Sequence, residues 1–245
     1  MRALVTGATS GLGRAMAEAL VTAGARVVVT SRDPDRAAAA AREIGARARG
    51  LAMDVRDADA VDAGVAKIYN ELGGLDLLVA NAGIGMRTVN PHFLTEPRPF
   101  FSVTPAGFRD VVDTKVAGTF LAVRAVVPRM LAAGGGRVVV ISMNTATMSR
   151  RGFVPYGPAG AAVEALAGVM AEDLAGTSVR LNVLVPGGAT ATGMIPEDVS
   201  DEVRGRLLDP AIMGPPIVWL ASRAASDVHS QRIDASRFAR EHPEW

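Results

Sequence analysis

The chain has 245 residues, 49% hydrophobic and 21% charged, with a formal net charge of +1. That length sustains one large α/β domain with a substantial core, and the near-neutral charge leaves no footprint for nucleic acid and no acidic tail. Cysteine is absent, which excludes disulfides, thiolate metal sites and a cysteine nucleophile; the three histidines (His92, His229, His242) lie far apart in sequence, so no metal site is expected.

Met1-Arg2 runs straight into "ALVTGATSG", a strand and a turn, so no secretory leader is expected. No apolar run reaches membrane-spanning length, so the expectation is a soluble, cytoplasmic chain with no membrane partner. Short β-rich runs at 2–6, 25–30, 48–54, 75–80, 136–142 and 179–185 are apolar almost throughout, as strands buried on both faces should be. Helical patterns at 11–23, 34–44, 57–72, 105–133 and 155–175 separate them, and a last short strand is expected near 231–234. The alternation predicts βαβ units with right-handed crossovers. The fold class is therefore α/β, a doubly wound parallel sheet with helices on both faces, in one domain over 1–245. One connection is irregular. The loop at 84–104 holds Pro91, Pro97 and Pro99 with Phe93, Phe100 and Phe101. Long loops in compact domains are usually functional or disordered, and the phenylalanines argue against disorder. This loop leaves the carboxyl end of a strand, where open α/β sheets bind ligands. It forms either part of a substrate wall or a packing or subunit-contact loop. A second variable segment spans about 188–215.

"TGATSGLG", Thr6 to Gly13, follows the first strand and opens the first helix. Gly7 permits a tight turn, Gly11 lets backbone approach a pyrophosphate, and Gly13 allows close helix–strand packing. Within it Ser10 and Leu12 bring free N–H groups and the positive end of the helix dipole. The second strand ends in Ser31-Arg32, with Asp33 one place later. A carboxylate at the tip would favour NAD; a hydroxyl beside a guanidinium suits a 2′-phosphate, so NADP(H) is favoured over NAD(H). Asp54, followed by Val55, is placed to accept from an adenine amino group. Asn81 is placed to tie two strand ends together, and Gly83, after Ala82, to admit the cofactor.

Thr6-Gly7, Gly11, Gly13, Asp54-Val55, Asn81-Ala82-Gly83, Tyr156 and Pro186-Gly187 fall in an order and spacing that resembles the short-chain dehydrogenase/reductase family, over roughly residues 1–235. The resemblance implies a Rossmann-like sheet of about seven strands and frequent homodimers or homotetramers. It also implies hydride transfer between a nicotinamide and the carbonyl or alcohol of a small-molecule substrate. The family site pairs a tyrosine acid/base with a lysine one helical turn on, a serine some way before, and an asparagine in the preceding long helix. Here Tyr156 is kept, but the lysine position is Gly160, the serine position Met143, and the asparagine's place Lys115. A phenol titrates near pH 10, so it needs a nearby cation to act near neutrality.

Two replacements are expected. Lys115 either reaches into the space vacated at Gly160 and supplies the cation, or snorkels or pairs with Asp110 or Asp113. Asn144 stands in for the serine in preference to Ser142, which strand alternation aims the wrong way. After Pro186-Gly187, Thr192 is favoured over Thr190 to meet the carboxamide or phosphates. His92 is an acid/base or simply exposed. Arg150-Arg151 is a solvated pair, or meets an anionic substrate or a neighbouring subunit. Ala161, Ala165 and Gly168 suit a subunit interface or packing within the chain. His229-Ser230 replaces the family's usual Thr-Gly, so the last strand is expected to be altered. The function expected is an NADP-dependent oxidoreductase with a rebuilt site. The alternatives are a redox-neutral enzyme (cyclase, isomerase or dehydratase) whose cofactor is retained without redox use or absent, and a non-catalytic subunit forming a heteromer with an active homologue.

Overall fold

The apolar runs pair edge to edge. In the computed structural model, which describes residues 1–245, the strands are β1 (Arg2–Val5), β2 (Arg26–Ser31), β3 (Ala48–Ala52), β4 (Leu77–Ala80), β5 (Gly136–Ile141), β6 (Val179–Val185) and β7 (Arg232–Asp234). All are parallel, in the order β3-β2-β1-β4-β5-β6-β7. The helices that matter below are α1 (Gly11–Thr22), α2 (Pro34–Ile44), α3 (Ala58–Leu72), α4 (Pro105–Val112), α5 (Gly118–Ala132), α6 (Thr145–Met148), α7 (Tyr156–Asp173), α8 (Asp201–Arg204), α9 (Gly214–Ala221) and α10 (Ala235–Glu241).

Strand alternation sorts side chains onto two faces. Leu4, Leu78, Val138 and Val140 meet Val65 and Ile68 of α3, Val126 of α5 and Val163 of α7. Val5, Leu77, Val79 and Val139 meet Met16 and Leu20 of α1, Ile217 of α9 and Phe238 of α10. Each such side chain contributes about 1.5–3 kcal/mol by leaving water. Asp33 and Asp57 cap α2 and α3, each accepting from two backbone N–H groups, and Gly73 ends α3 in the left-handed region at φ 74°.

The structure departs from or adds to expectation in three places. β3 is not buried on both faces: as the edge strand it leaves Arg49, Gly50 and Ala52 exposed. The helix expected at 105–133 is present without a break from Pro105 to Ala132, but it takes a π-helical turn at Asp113–Ala117, between α4 and α5. Hydroxyls flank this turn: Thr114 Oγ1 donates to Asp110 O and Thr119 Oγ1 to Lys115 O, each at 2.7 Å. Such back-bonding supports a local departure from the α ladder. The chain after β6 also carries α9 and α10, which the sequence reading left out.

The last strand does form, though short. His229 Nδ1 accepts from Leu181 N at 3.2 Å, and its Nε2 lies 3.0 Å from Ala171 O. Asn182 donates to Val228 O and accepts from Gln231 N. Ser230 turns through the left-handed region at φ 57°. These side chains take over the task of steering the chain onto the sheet edge. No helix is long and apolar enough to cross a membrane.

Candidate active site

The chain leaves β1 for β2 on one side and returns to β4 on the other, so β1 and β4 flank a topological switch point. The glycine-rich turn sits there. Gly7 and Gly11 are left-handed, at φ 63° and 57°, a region glycine enters without steric cost. Thr6 Oγ1 receives the N–H groups of Asn81 and Ala82, both at 3.0 Å. Asn81 Nδ2 donates to Thr6 O at 2.9 Å and Gly7 O at 3.1 Å. The expected tie between the two strand ends is therefore present. A Cβ on Gly13 would collide with Asn81 Nδ2 and lie 2.8 Å from Gly7 O. Gly13→Ala is expected to cost about 2 kcal/mol or more by forcing that tie apart, read as a lower thermal midpoint; an unchanged midpoint would show that the turn can give way.

The turn leaves room for a ligand. Ser10 stands at the N-cap of α1 without a side-chain cap bond, and beside Gly83 nothing but Asn81 O comes within 4 Å of an added Cβ. Thr192 stands next to Gly11: its methyl lies 3.2 Å from where a Gly11 Cβ would be. Thr190 instead is buried and bridges to Leu208. At the end of β2, Arg32 is exposed. Ser31 Oγ accepts from Asp33 N, and Asp33 Oδ1 is engaged by Asp35 N and Arg36 N. Asp54 is held by Arg56, which meets both its oxygens at 2.7–3.2 Å and draws its pKa down chiefly through that hydrogen bond. Val55 packs into the notch at Gly118, where a Cβ would come within 2.6 Å of its methyl.

Tyr156 opens α7, mostly buried, its hydroxyl 3.8 Å from Met194 Sδ. Burial pushes the phenol above its usual pKa. Lys115 projects from the π-helical turn and is 7% exposed. Its Nζ lies 5.5 Å from the centroid of the Tyr156 ring. Burial lowers its pKa to about 8, opposed by the charge of Glu164. Neither Asp110 nor Asp113 pairs with it; Asp110 faces Arg56 instead, at 3.6 Å.

The space at Gly160 is not taken by Lys115. Met143 fills it: a Cβ on Gly160 would lie 2.5 Å from Met143 Cε and 2.8 Å from Sδ. The serine position has grown and the lysine position has shrunk to match. Asn144 is partly engaged, with one Nδ2 hydrogen left to donate. Its Oδ1 caps α6 through Ala146 N, and its Nδ2 donates to Gly187 O at 3.3 Å. Ser142 is buried, its hydroxyl without a partner. Two residues escaped the sequence reading. Arg232 on β7 grips Glu164 through Nε, 3.1 Å from each carboxylate oxygen, and donates to Met143 O at 2.9 Å, fixing the backbone that carries the Met143 side chain. Met194 lies between Tyr156 and Gly85. A lone arginine in "QRID" was the sequence signal for Arg232, and the place just after Thr192 the one for Met194.

The loop after β4 and the segment near 188–209 are fastened together. Arg87 donates to Gly193 O at 2.9 Å and pairs with Glu197 at 2.8 Å. His92 Nδ1 lies 2.8 Å from Asp198 Oδ2, and Thr95 Oγ1 donates to the same oxygen. His92 is thus a hydrogen-bond partner of the second segment. Phe93 is buried edge-on to Phe153 at 5.3 Å, whereas Phe100 and Phe101 are exposed. Arg150 lies over Phe153 at 4.9 Å and Arg151 is exposed. Ala161, Ala165 and Gly168 are exposed, so packing within the chain does not account for them. No group of three or more His, Asp or Glu side chains is placed to hold a metal.

A family model described as short chain dehydrogenase matches residues 1–203. The 3-oxoacyl-(acyl-carrier-protein) reductase FabG of Vibrio harveyi is 31% identical over 238 residues, covering 94% of this chain and 93% of that protein. The cis-4-hydroxycyclohexanecarboxylate dehydrogenase of Sinomonas cyclohexanicum is 34% identical over 236 residues, 92% of this chain and 91% of that one. Among solved structures, the 3-ketoacyl-(acyl-carrier-protein) reductase of Brucella melitensis complexed with NADH superposes with a TM-score of 0.83 at 29% identity, covering 95% of each chain.

Proposed function

Because the chain belongs to the short-chain dehydrogenase family, we propose that it is an NADP(H)-dependent oxidoreductase whose proton-handling group is Tyr156 and whose cation is Lys115. One observation carries this reading: the buried ammonium of Lys115 stands 5.5 Å from the centre of the Tyr156 ring. The family's lysine is gone, yet an amine remains at the phenol.

The residues present fit a nicotinamide nucleotide. Gly7, Gly11 and Gly13 with the N–H groups of Ser10 and Leu12 would hold the pyrophosphate at the N-terminus of α1. Ala82, Gly83, Pro186, Gly187 and Thr192 would line the nicotinamide end. Val55 would support the adenosine side from the core, with Asn81 keeping the turn in shape. When bound, the cofactor supplies or accepts the hydride. Tyr156 donates its proton to the substrate oxygen as negative charge develops there, and takes it back in oxidation. Burial makes the neutral phenol the resting form. A charged Lys115 beside the ring would work against that bias by favouring phenolate. Met143 gives the oxygen no hydrogen bond, so Tyr156 carries that task with no serine beside it. The uncovered small-residue face of α7 supports a homo-oligomer.

Arg32 sets the choice of nucleotide. Asp33 stands one place past the strand tip with Oδ1 turned to cap α2, which leaves only Oδ2 for a ribose, while the exposed Arg32 at the tip is open to a 2′-phosphate. Calorimetric titration is expected to show NADPH binding at least about tenfold tighter than NADH, a difference of about 1.4 kcal/mol. Arg32→Ala should abolish the preference while leaving NADH binding unchanged. Equal affinities for the unaltered protein, or a preference for NADH, would overturn the assignment. Failure to bind either nucleotide would remove the redox reading altogether.

A further inference from the structure

Lys115 is an unusual amine in this chain. Of 26 lysine and arginine residues only Lys67 and Lys115 are lysines. Lys67 is exposed on α3, and Lys115 is buried. A buried ammonium without a carboxylate in contact is costly, and such groups concentrate at functional sites. Arginine serves every ion pair that the chain makes apart from those of two histidines. A purely electrostatic task would suit arginine too. Lysine alone, once deprotonated, offers a nitrogen nucleophile.

We propose that Lys115 captures an aldehyde or ketone substrate as an imine, with Tyr156 as the acid that releases water. The inference rests on the reading that these two side chains share one site. The Lys115 nitrogen bonds to the carbonyl carbon while the C=O π bond opens, and a proton passes from nitrogen to oxygen, giving a carbinolamine. The C–O bond then breaks. The departing hydroxyl takes the Tyr156 proton and leaves as water, and the protonated imine returns a proton to the phenolate. Amine and carbonyl become imine and water, with no oxidant or reductant required. The imine makes the adjacent carbon acidic, which opens proton-transfer chemistry at that carbon. Burial supports the first step: with a pKa of about 8, Lys115 holds a sizeable neutral fraction near neutrality, against roughly 0.04% for an ordinary lysine.

The test uses the full chain with propanal as probe and sodium cyanoborohydride as trap, mapped by peptide mass spectrometry. Lys67 and the N-terminal amine serve as internal controls. Lys115 is expected to be propylated about tenfold faster than Lys67. Tyr156→Phe should slow that labelling about tenfold or more while leaving Lys67 labelling unchanged. Labelling confined to Lys67 and the N-terminus would overturn the proposal, and so would a Tyr156→Phe variant that labels Lys115 as fast as the unaltered chain. The two readings separate cleanly. Nucleotide binding and carbonyl reduction without a Lys115 adduct would sink the imine and leave the oxidoreductase. An adduct without nucleotide binding would do the reverse.

Discussion

Replacing Lys115 with methionine is expected to lower carbonyl reduction by about 10²–10⁴-fold while raising the stability of the fold. Both effects come from one buried charge. The phenol of Tyr156 is pushed up by burial, and without the neighbouring ammonium its phenolate forms at greater cost. The same ammonium is expensive to bury, which is why its pKa falls from 10.5 to about 8. Below about pH 8 the side chain is charged in the folded and unfolded states alike, so the burial penalty is fully present. As pH rises from 8 toward 10.5 the folded chain gives up the proton before the unfolded chain does, and the penalty fades. Lys115→Met should therefore gain about 1–3 kcal/mol near pH 7, with the gain shrinking by pH 10. Thermal unfolding at the two pH values reads this directly. In the unaltered protein, reduction should decline as pH rises through about 8 and Lys115 loses its charge; the methionine variant should show no such limb. Turnover within threefold of the original would reject the role assigned to Lys115.

The second large effect concerns Met143 and Gly160, which the structure fits to each other. Gly160→Lys alone places a side chain where Met143 Cε and Sδ already lie, at 2.5 and 2.8 Å from the new Cβ. It also brings a second amine toward Lys115. The methionine end is flexible and can swing, so the steric part is modest; the repulsion between buried ammonium groups is not. The single change is expected to cost about 3–5 kcal/mol. Adding Met143→Ser and Lys115→Asn opens the space, removes the competing charge and restores the arrangement that the family resemblance implies. This triple variant should recover most of the lost stability. In a cycle of Met143→Ser and Gly160→Lys, a coupling of at least about 1 kcal/mol is expected. Strictly additive effects would show that the two residues do not compensate one another.

The sheet was readable because its strands are apolar runs separated by amphipathic helices, and such patterns survive any change of active-site residue. β3 misled for a local reason: an edge strand has one fewer neighbour, so Arg49 and Gly50 are tolerated where a central strand would exclude them. The π-helical turn was invisible because Asp113 to Ala117 contains no proline, glycine or other breaker. Its signs are the hydroxyls of Thr114 and Thr119, which act only once the helix exists. In the site, position alone located Tyr156, Gly160, Met143 and Lys115. What filled the gap could not be read from position. Lys115 looked like the occupant because one amine had vanished and another had appeared; volume settled it in favour of Met143. Asn144 looked like a substitute donor because it lies next in sequence; its Oδ1 caps a short helix and one Nδ2 hydrogen goes to Gly187 O, a second use that position alone does not reveal. Arg232 and Met194 are distant in sequence from everything they hold.

Arg87, His92 and Thr95 bind the segment that carries Thr192 and Met194 to the loop after β4. Thr192 stands over the glycine turn, and Met194 lies against the phenol. One stretch of chain thus roofs both halves of the cleft, and its fastenings lie on the rim. On the proposed function, nucleotide and substrate would both enter beneath that roof. A concentration jump of either should saturate at one common first-order rate, whichever molecule is waiting outside.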